Sequence, residues 1–323
     1  MKLVTFDDII KLEIAPHICY EWVVEMIKQK EKALLPEKIS MKLSEKVYCN
    51  VMPCILQYGS EHIQTDIGYG GVKIVTRYPN RIPGLDSILS LFDVASGKFL
   101  ALMDANWITA MRTGAVAAHS ISLFAKKDFS ILGLMGLGNT TRATLLTLLN
   151  VFPEKRFQVK LLKYKEQEIS FMERFSEFDN VCFQCVGTTS DLVKGSDVVI
   201  SAVTYLSDDI CKRDCFDEGV LVVPIRTRGF TNCDLFFDKV YADDRAHVQH
   251  FSNFNKFRYF AEVSDVVNGN AMGRENDKER ILAYNIGVAM HDINFATHIY
   301  QLLTDNEEIT DINLKTPVDK FWI

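Results

Sequence analysis

Several features that would narrow the function quickly are absent from these 323 residues. No uninterrupted apolar run reaches the roughly 18 residues of a bilayer-spanning helix, so no membrane partner is expected. Lysines and arginines form no cluster or stripe and the net charge is −6, which argues against nucleic acid and anionic membrane surfaces as partners. The first residues carry acids early, Asp7 and Asp8, and no apolar core ending in small residues. They do not read as a secretion signal, and a cytoplasmic protein is expected. No internal repeat and no low-complexity tract occurs.

Cysteine is present but builds no framework. The eight cysteines sit mostly in apolar stretches, as reduced, core-filling thiols do. Two local pairs, Cys182 with Cys185 and Cys211 with Cys215, could be drawn as a zinc site. Residues 181–186 read as a buried strand, however, and positions i and i+3 of a strand face opposite sides. No metal is expected.

What is present is an ordinary globular composition, 48% hydrophobic and 24% charged, on a chain long enough for two domains. Residues 129–149 organise the rest. An apolar run from Ile131 to Met135 ends at Gly136-Leu137-Gly138, and a helical pattern begins almost at once. Strand, glycine turn and helix in that order are what a dinucleotide-binding fingerprint needs. Gly136 makes the tight turn, Gly138 leaves room for a pyrophosphate, and the helix N-terminus presents free N–H groups to it. The third fingerprint position is Thr141, so the match is imperfect.

Around this stretch the pattern predicts helices over 7–12 and 16–34, then short strands at 47–52, 62–68, 72–76, 88–93 and 99–103, with a turn at 95–98 closing a hairpin. A long helix over 105–125 leads into the fingerprint strand. Strands at 159–162, 181–186, 198–202, 220–224 and 240–242 follow, with a helix at 166–175 and a turn at 192–195. From 243 the chain reads as helical and polar, with an apolar stretch at 281–284 and a last helix over 287–303. Regular alternation of strand and helix predicts an α/β protein: a doubly wound Rossmann domain over 116–290, and an α+β domain formed by 1–115 with 291–323.

Three places in the chain carry candidate chemistry. The strand after the fingerprint helix ends at Lys163-Tyr164-Lys165, with no acid until Glu166. An acid at this tip suits the ribose hydroxyl of NAD, whereas cations suit the 2′-phosphate of NADP, so NADP is favoured over NAD; solvated loop lysines are the plain alternative. Lys73 lies mid-strand in Gly70-Gly71-Val72-Lys73-Ile74-Val75, where it either faces solvent or needs a partner. Arg112 sits among Ala110, Met111, Ala115 and Val116, where its guanidinium could clamp a carboxylate or form an internal salt bridge.

With these residues in view, a resemblance is plain. Lys73-Ile-Val-Thr-Arg-Tyr-Pro-Asn, Leu91-Phe-Asp-Val-Ala-Ser-Gly-Lys-Phe-Leu-Ala-Leu-Met-Asp104 and Ile108-Thr-Ala-Met-Arg-Thr-Gly-Ala115 resemble the ornithine cyclodeaminase/μ-crystallin family. Gly269-Asn-Ala-Met-Gly-Arg274 and Asn285-Ile-Gly-Val-Ala-Met-His-Asp292 are similar to it too. The resemblance implies a substrate-binding and dimerisation domain joined to a Rossmann domain, a homodimer, and a small amino or imino acid bound over the nicotinamide. It implies that Lys73 contacts the substrate carboxylate or amine and that Arg112 clamps the carboxylate. Ser87, Thr113, Asn139, Thr140 and Thr204 fall at its cofactor-contact positions, and Asn285 and Ile286 near the nicotinamide and substrate. The nearest match to a further carboxylate-binding cation is Lys42.

The departure from the family pattern is as informative. Cyclodeaminases carry a proton-transferring acid in G-x-D-x-P-G-K-x-E-L, where this chain reads Pro224-Ile-Arg-Thr-Arg228-Gly-Phe-Thr-Asn232-Cys-Asp234-Leu. Arg228 occupies the acid's place and Asn232 the lysine's. An arginine stays protonated and is a poor general base, but it can bind a second carboxylate or stabilise developing negative charge. The expectation is an NAD(P)-dependent oxidoreductase acting on the Cα–N bond of an amino or imino acid, with Arg228 or Arg226 taking an extra acidic group. The same first half-reaction serves a condensing synthase. A non-catalytic NADPH-binding protein of the crystallin type is the rival reading, and a deaminase using Asp234 or a water is a third.

Overall fold

The structure, a computed structural model, describes residues 1–44, 46–57, 68–203, 209–225, 234–304 and 308–314. It divides into two compact units. The first comprises 1–14, 32–108 and 289–323, and the second 15–31 and 109–288. Compared with the sequence-based division, the segment 15–31 groups with the second unit although it precedes the strands of the first, and the boundaries fall at 108/109 and 288/289 instead of 115/116 and 290/291.

The first unit is built on β1 (Lys2–Val4), β2 (Ala33–Leu34), β3 (Ile39–Lys42), β4 (Tyr48–Gln57), β5 (Gly68–Arg77), β6 (Leu85–Asp93) and β7 (Phe99–Asp104), with helices α1 (Phe6–Ile10) and α8 (Ala289–Leu303). The strands form one sheet in the order β1-β7-β6-β5-β4-β2, with β3 also on β4; β1 runs parallel to β7 and the remaining pairs are antiparallel. Side-chain alternation assigns the faces. Met52, Cys54 and Leu56 of β4, Lys73 and Val75 of β5, and Leu89 and Leu91 of β6 are buried. Helix α8 packs on β4, β5 and β6. Gly71 permits its close approach, because a methyl group there would lie 2.7 Å from Ile293 Cδ1. The turn 95–98 closes the β6–β7 hairpin, with Gly97 at φ +68° and Asp93 Oδ1 accepting from the Ser96 amide at 2.7 Å.

The second unit contains α2 (Pro16–Lys28), most of α3 (Asn106–Phe124), β8 (Ile131–Met135), α4 (Asn139–Val151), β9 (Phe157–Leu162), α5 (Gln167–Arg174), β10 (Val181–Val186), α6 (Thr189–Val193), β11 (Val198–Ser201), β12 (Leu221–Pro224), β13 (Lys239–Ala242), β14 (Phe260–Glu262), α7 (Val263–Val267) and β15 (Ile281–Tyr284). Its eight strands are all parallel, in the order β10-β9-β8-β11-β12-β15-β13-β14. Every residue of β11, β12, β13 and β15 is buried, as expected for short apolar strands covered on both faces. The order runs outward in both directions from β8 and β11, so the crevice at their carboxyl ends is the topological switch point where such sheets bind ligands.

Several sequence-based boundaries need correction. The helix expected over 16–34 stops at Lys28, and the chain turns into edge strand β2 to pair with β4. Strands β1 and β3 were not anticipated, the one because it is three residues long and the other because all four of its residues are exposed. Residues 181–186 form an edge strand with Cys182 exposed, not a buried one. The turn expected at 192–195 overlaps the end of a short helix, α6, whose last two residues are Leu192 and Val193. The stretch after 243 is mostly turns around β14 and α7, since its polar residues serve as tethers and not as a helix surface. The strand expected at 62–68 lies outside the described residues up to position 67. Among the described residues, no helix is long and apolar enough to cross a membrane.

Candidate functional site

The glycine turn is formed as its sequence requires. Gly136 has φ +81°, a left-handed conformation that favours glycine, and a Cβ there would lie 2.7 Å from the Ala202 carbonyl carbon at the end of β11. Any side chain would therefore close the switch-point crevice. Gly138 is the N-cap of α4, its side has open space where a Cβ would stand, and no side chain caps the helix. The first-turn N–H groups and the helix dipole are thus left for an anion. Asn139, exposed, and Thr140, half-buried, begin that helix. Thr141, in the third fingerprint position, is buried and its hydroxyl donates to the Gly136 carbonyl at 2.5 Å, bracing the turn. Close helix packing comes instead from Gly114, where a Cβ would lie 2.5 Å from the Ala143 backbone. These features fit a dinucleotide pyrophosphate. Lys163 follows β9 in an exposed position; Lys165 and Glu166 both adopt left-handed backbone, at φ 51° and 59°.

Arg112 is 5% exposed, on the second turn of α3. Beside it runs the loop after β15. Gly287 has φ +82°, and a methyl group there would come within 2.8 Å of an Arg112 guanidinium nitrogen. The positive φ favours glycine here, and its bare backbone leaves the guanidinium in close approach. The loop is tied at three points. The Asn285 amide donates to the Pro224 carbonyl at 2.9 Å, Asn285 Nδ2 donates to Ser120 Oγ at 3.0 Å, and the Gly287 amide donates to Asp243 Oδ2 at 2.8 Å. Among the described residues, Asn285 Oδ1 and Asp243 Oδ1 are buried without a hydrogen-bond partner. Burial pushes the Asp243 carboxyl up from its ordinary value, against the loop amides that pull it down. Ile286, between them, is half-buried.

Asp243 is itself anchored from behind. Lys30 Nζ lies 2.9 Å from the Asp243 carbonyl, 2.9 Å from Asp244 Oδ1 and 2.7 Å from Glu262 Oε2, and His247 Nδ1 is 2.5 Å from Asp244 Oδ2. Burial works against the charge on Lys30, but the two carboxylates outweigh it and raise the ammonium's pKa. Burial likewise opposes the Asp244 charge, yet His247 and Lys30 bring its carboxyl down to about 2.

In the first unit, Lys73 does not face solvent. It and Asp292 of α8 are both 0% exposed, and Nζ lies 2.5 Å from Asp292 Oδ1. Strand alternation turns Lys73 to the covered face, beside Met52 and Leu89 in register. Ser87, on the same face, is buried, and its amide donates to Asn106 Oδ1 at 3.0 Å. Thr113, one residue past Arg112, is buried with its hydroxyl donating to the Thr109 carbonyl at 2.6 Å. Lys42 stands exposed on β3. Thr204, Arg226, Arg228 and Asn232 lie outside the described residues. Among the described residues, no group of three or more His, Cys, Asp or Glu side chains could hold a metal ion.

The profile of the ornithine cyclodeaminase/mu-crystallin family matches residues 13–307. The chain belongs to that family. Of its relatives, N-((2S)-2-amino-2-carboxyethyl)-L-glutamate dehydrogenase of Staphylococcus aureus is 25% identical over 271 residues, covering 79% of this chain and 80% of the relative. A Delta(1)-pyrroline-2-carboxylate reductase of Bacillus cereus is 24% identical over 252 residues, covering 72% and 76%. Among solved structures, the family fold recurs in Thermococcus litoralis Delta(1)-pyrroline-2-carboxylate reductase in complex with NADH and L-proline, with a TM-score of 0.82 and 23% identity over 97% of this chain and 100% of that one. These family members are reductases and dehydrogenases of imino and amino acids.

Asp243 and Ser120 were not singled out from the sequence, and Gly287 and Asp292 figured only as members of the family-like stretch 285–292, with no role of their own. A signal existed for Asp292: α8 is buried almost all round, and an acid inside such a run needs a partner as much as Lys73 does. Asp243 follows the buried strand β13 directly and could have been questioned on the same ground.

Proposed function

We propose that this protein is an NAD(P)-dependent oxidoreductase acting on the Cα–N bond of a small amino or imino acid, in the manner of a ketimine reductase, amino-acid dehydrogenase or condensing synthase. The observation that carries the reading is the buried Arg112 guanidinium laid against Gly287, in the same unit as an uncapped glycine turn at a topological switch point. A bound nicotinamide dinucleotide supplies or accepts the hydride. Gly136, Gly138, Asn139 and Thr140 hold its pyrophosphate, with Ser87, Thr113, Thr204 and Asn285 as further contacts. The pair Lys163 and Lys165 favours NADP over NAD.

Arg112 grips the substrate carboxylate through two parallel hydrogen bonds, and Lys73 meets the carboxylate or the nitrogen. Ile286 packs on the substrate, and Lys42 is a further carboxylate contact. Arg228, in the position of the cyclodeaminase acid, binds a second acidic group, so ornithine cyclisation is not the reaction. The Staphylococcus relative, whose name describes a substrate with more than one carboxylate, supports that choice. The first unit serves as the substrate-binding and dimerisation domain and the second as the cofactor domain. The partner in a homodimer is met by the open face of the first sheet. There Ile39, Val51, Ile74 and Ile88 form one row across β3, β4, β5 and β6, with Ile39 58% and Ile88 48% exposed.

The test is fluorescence titration with NADPH and NADH, then oxidation of the tighter one against cyclic imines and keto acid–amine pairs. Turnover is expected, and Arg112→Ala should abolish it while nucleotide binding persists. Binding without turnover on any substrate would favour the crystallin-type reading, to which the loss of the acid at position 228 also points. Absence of binding to either nucleotide would sink both.

A further inference from the structure

Loss of the family acid at position 228 leaves open where the substrate nitrogen obtains its proton. We propose that Asp292 is the positioning residue that keeps Lys73 in its ammonium form, and that Lys73 Nζ, thus loaded, delivers the proton to the imine nitrogen. The proposal rests on the oxidoreductase reading and adds to it a residue and a proton source.

The geometry is specific. Lys73 is fully buried on the covered face of β5, where desolvation alone would drive an ammonium to discharge. Asp292 Oδ1 stands 2.5 Å from Nζ, contributed by the first turn of α8, and is equally buried. Helix α8 is brought that close by Gly71, two residues before Lys73. Among the described residues, the other titratable groups on the elements packed here lie mostly towards element ends. β4 carries Tyr48, Cys49 and Cys54, β5 carries Tyr69 and Arg77, α8 carries His291, His298 and Tyr300, and β6 carries acids only near its ends, Asp86 and Asp93, away from the Leu89 that pairs with Lys73. Burial first, and then the Asp292 charge, push the Cys54 thiol up to about 12, so it stays neutral and Asp292 acts as the local anion.

The step balances as a proton transfer. The Nζ–H bond of Lys73 breaks and leaves its electron pair on Nζ, while the lone pair of the imine nitrogen forms the new N–H bond. Nothing is oxidised in this step. Lys73 becomes a neutral amine beside the unchanged Asp292 carboxylate and regains its proton from water.

Two readouts test this on the full-length protein. With lysines carrying 13C at Cε, the Lys73 resonance, identified by its loss in Lys73→Arg, reports the pH at which Nζ discharges. The wild type should be charged at pH 8, and Asp292→Asn should lower the midpoint by about one to three pH units. With an imine that the enzyme turns over, the alkaline limb of kcat/KM should move by the same amount, the substrate's own titration being common to both proteins. Asp292→Glu should return both towards the wild-type values. A uniform loss of activity at all pH values, with the limb unmoved, would make Asp292 merely structural and overturn the proposal. A Lys73 already neutral at pH 8 in the wild type overturns it even if Asp292→Asn does not fold. Turnover of no imine at all removes the oxidoreductase reading and proton delivery together, while the resonance midpoint still reports separately on whether Asp292 keeps Lys73 charged.

Discussion

Lys30 and Lys73, one in each unit, are both enclosed by protein and both paired with carboxylates, yet the pairings do different things. Lys30 directs its ammonium at three oxygens, the Asp243 carbonyl, Asp244 and Glu262, at 2.9, 2.9 and 2.7 Å. An ammonium has three N–H donors, and here they bind together the start of the turn-rich segment after β13 and the end of β14. That segment carries Asp243, and through it the loop that seats Arg112. Lys73 meets Asp292 across a strand and a helix that already adhere through apolar packing around Gly71 and Ile293. Because desolvation offsets most of the attraction in a buried ion pair, such a pair adds little where hydrophobic contact alone would hold the elements. The burial of a charge is therefore not by itself the mark of a site. The mark is a buried charge whose partner holds together nothing that would otherwise come apart.

The largest expected effect tests this directly. Lys73→Met strands the Asp292 carboxylate and should cost about 3–5 kcal/mol of stability, measured by denaturant unfolding. The double variant Lys73→Met with Asp292→Leu should recover most of that loss, although it is catalytically dead. A double variant as unstable as the single one would show that the pair holds the fold, and the distinction from Lys30 would collapse.

A buried group with no counter-ion among the described residues sets the other limit. His119, on α3 near Tyr20 at a ring-centroid distance of 6.0 Å, has its pKa lowered from 6.5 to about 4, by burial first and then by the Lys28 charge. The folded state thus binds a proton less readily than the unfolded chain. Its contribution is intact above pH 6.5 and declines as the pH falls towards 4, by about 3 kcal/mol in total. His119→Gln should flatten that part of the stability–pH curve. A variant whose curve still falls as steeply would place the titrating group elsewhere.

For Lys30 the expected loss is smaller, about 1–2 kcal/mol for Lys30→Met, because Asp244 and Glu262 retain 11% and 20% side-chain exposure and can turn to water. The sign of its pH dependence is fixed by Asp244. A carboxyl depressed from 3.8 to about 2 contributes fully above its ordinary value and loses that contribution as the pH falls through about 2. The difference between wild type and Lys30→Met should therefore narrow below pH 4. A difference that stays constant to pH 2 would mean that Lys30 acts by packing its stem and not by its charge.

These contrasts also explain what the sequence could disclose. The glycine turn was legible at Gly136 because a backbone requirement, positive φ with no space for a Cβ, admits one residue type, whereas Gly138, with negative φ and open space beside it, was legible only by its spacing from Gly136. The alternation of strand and helix was legible because apolar periodicity records burial on both faces. Arg112 and Lys73 stood out as charges in apolar runs, but their partners did not. Asp292 lies 219 positions from Lys73, and the tether from Asp243 to Gly287 spans 44, so neither is written in local pattern. The strands β1 and β3 escaped notice because their pairing is supplied by neighbours and not by their own composition.

The smallest expected effect concerns a lysine that is neither buried nor enclosed. Lys163 projects from the tip of β9 in an exposed position, so its charge is screened and cheap to change. Its proposed role is selectivity between two cofactors that differ only in a 2′-phosphate. Lys163→Glu should then weaken NADPH binding by about tenfold at low salt, leave NADH binding nearly unchanged, and leave the unfolding midpoint where it was. Fluorescence titration of both nucleotides at two ionic strengths decides it. Equal weakening of both would assign Lys163 to general attraction of anions. No weakening of either would leave the preference to Lys165, whose left-handed backbone aims its side chain differently, and Lys165→Glu would be the next variant to titrate.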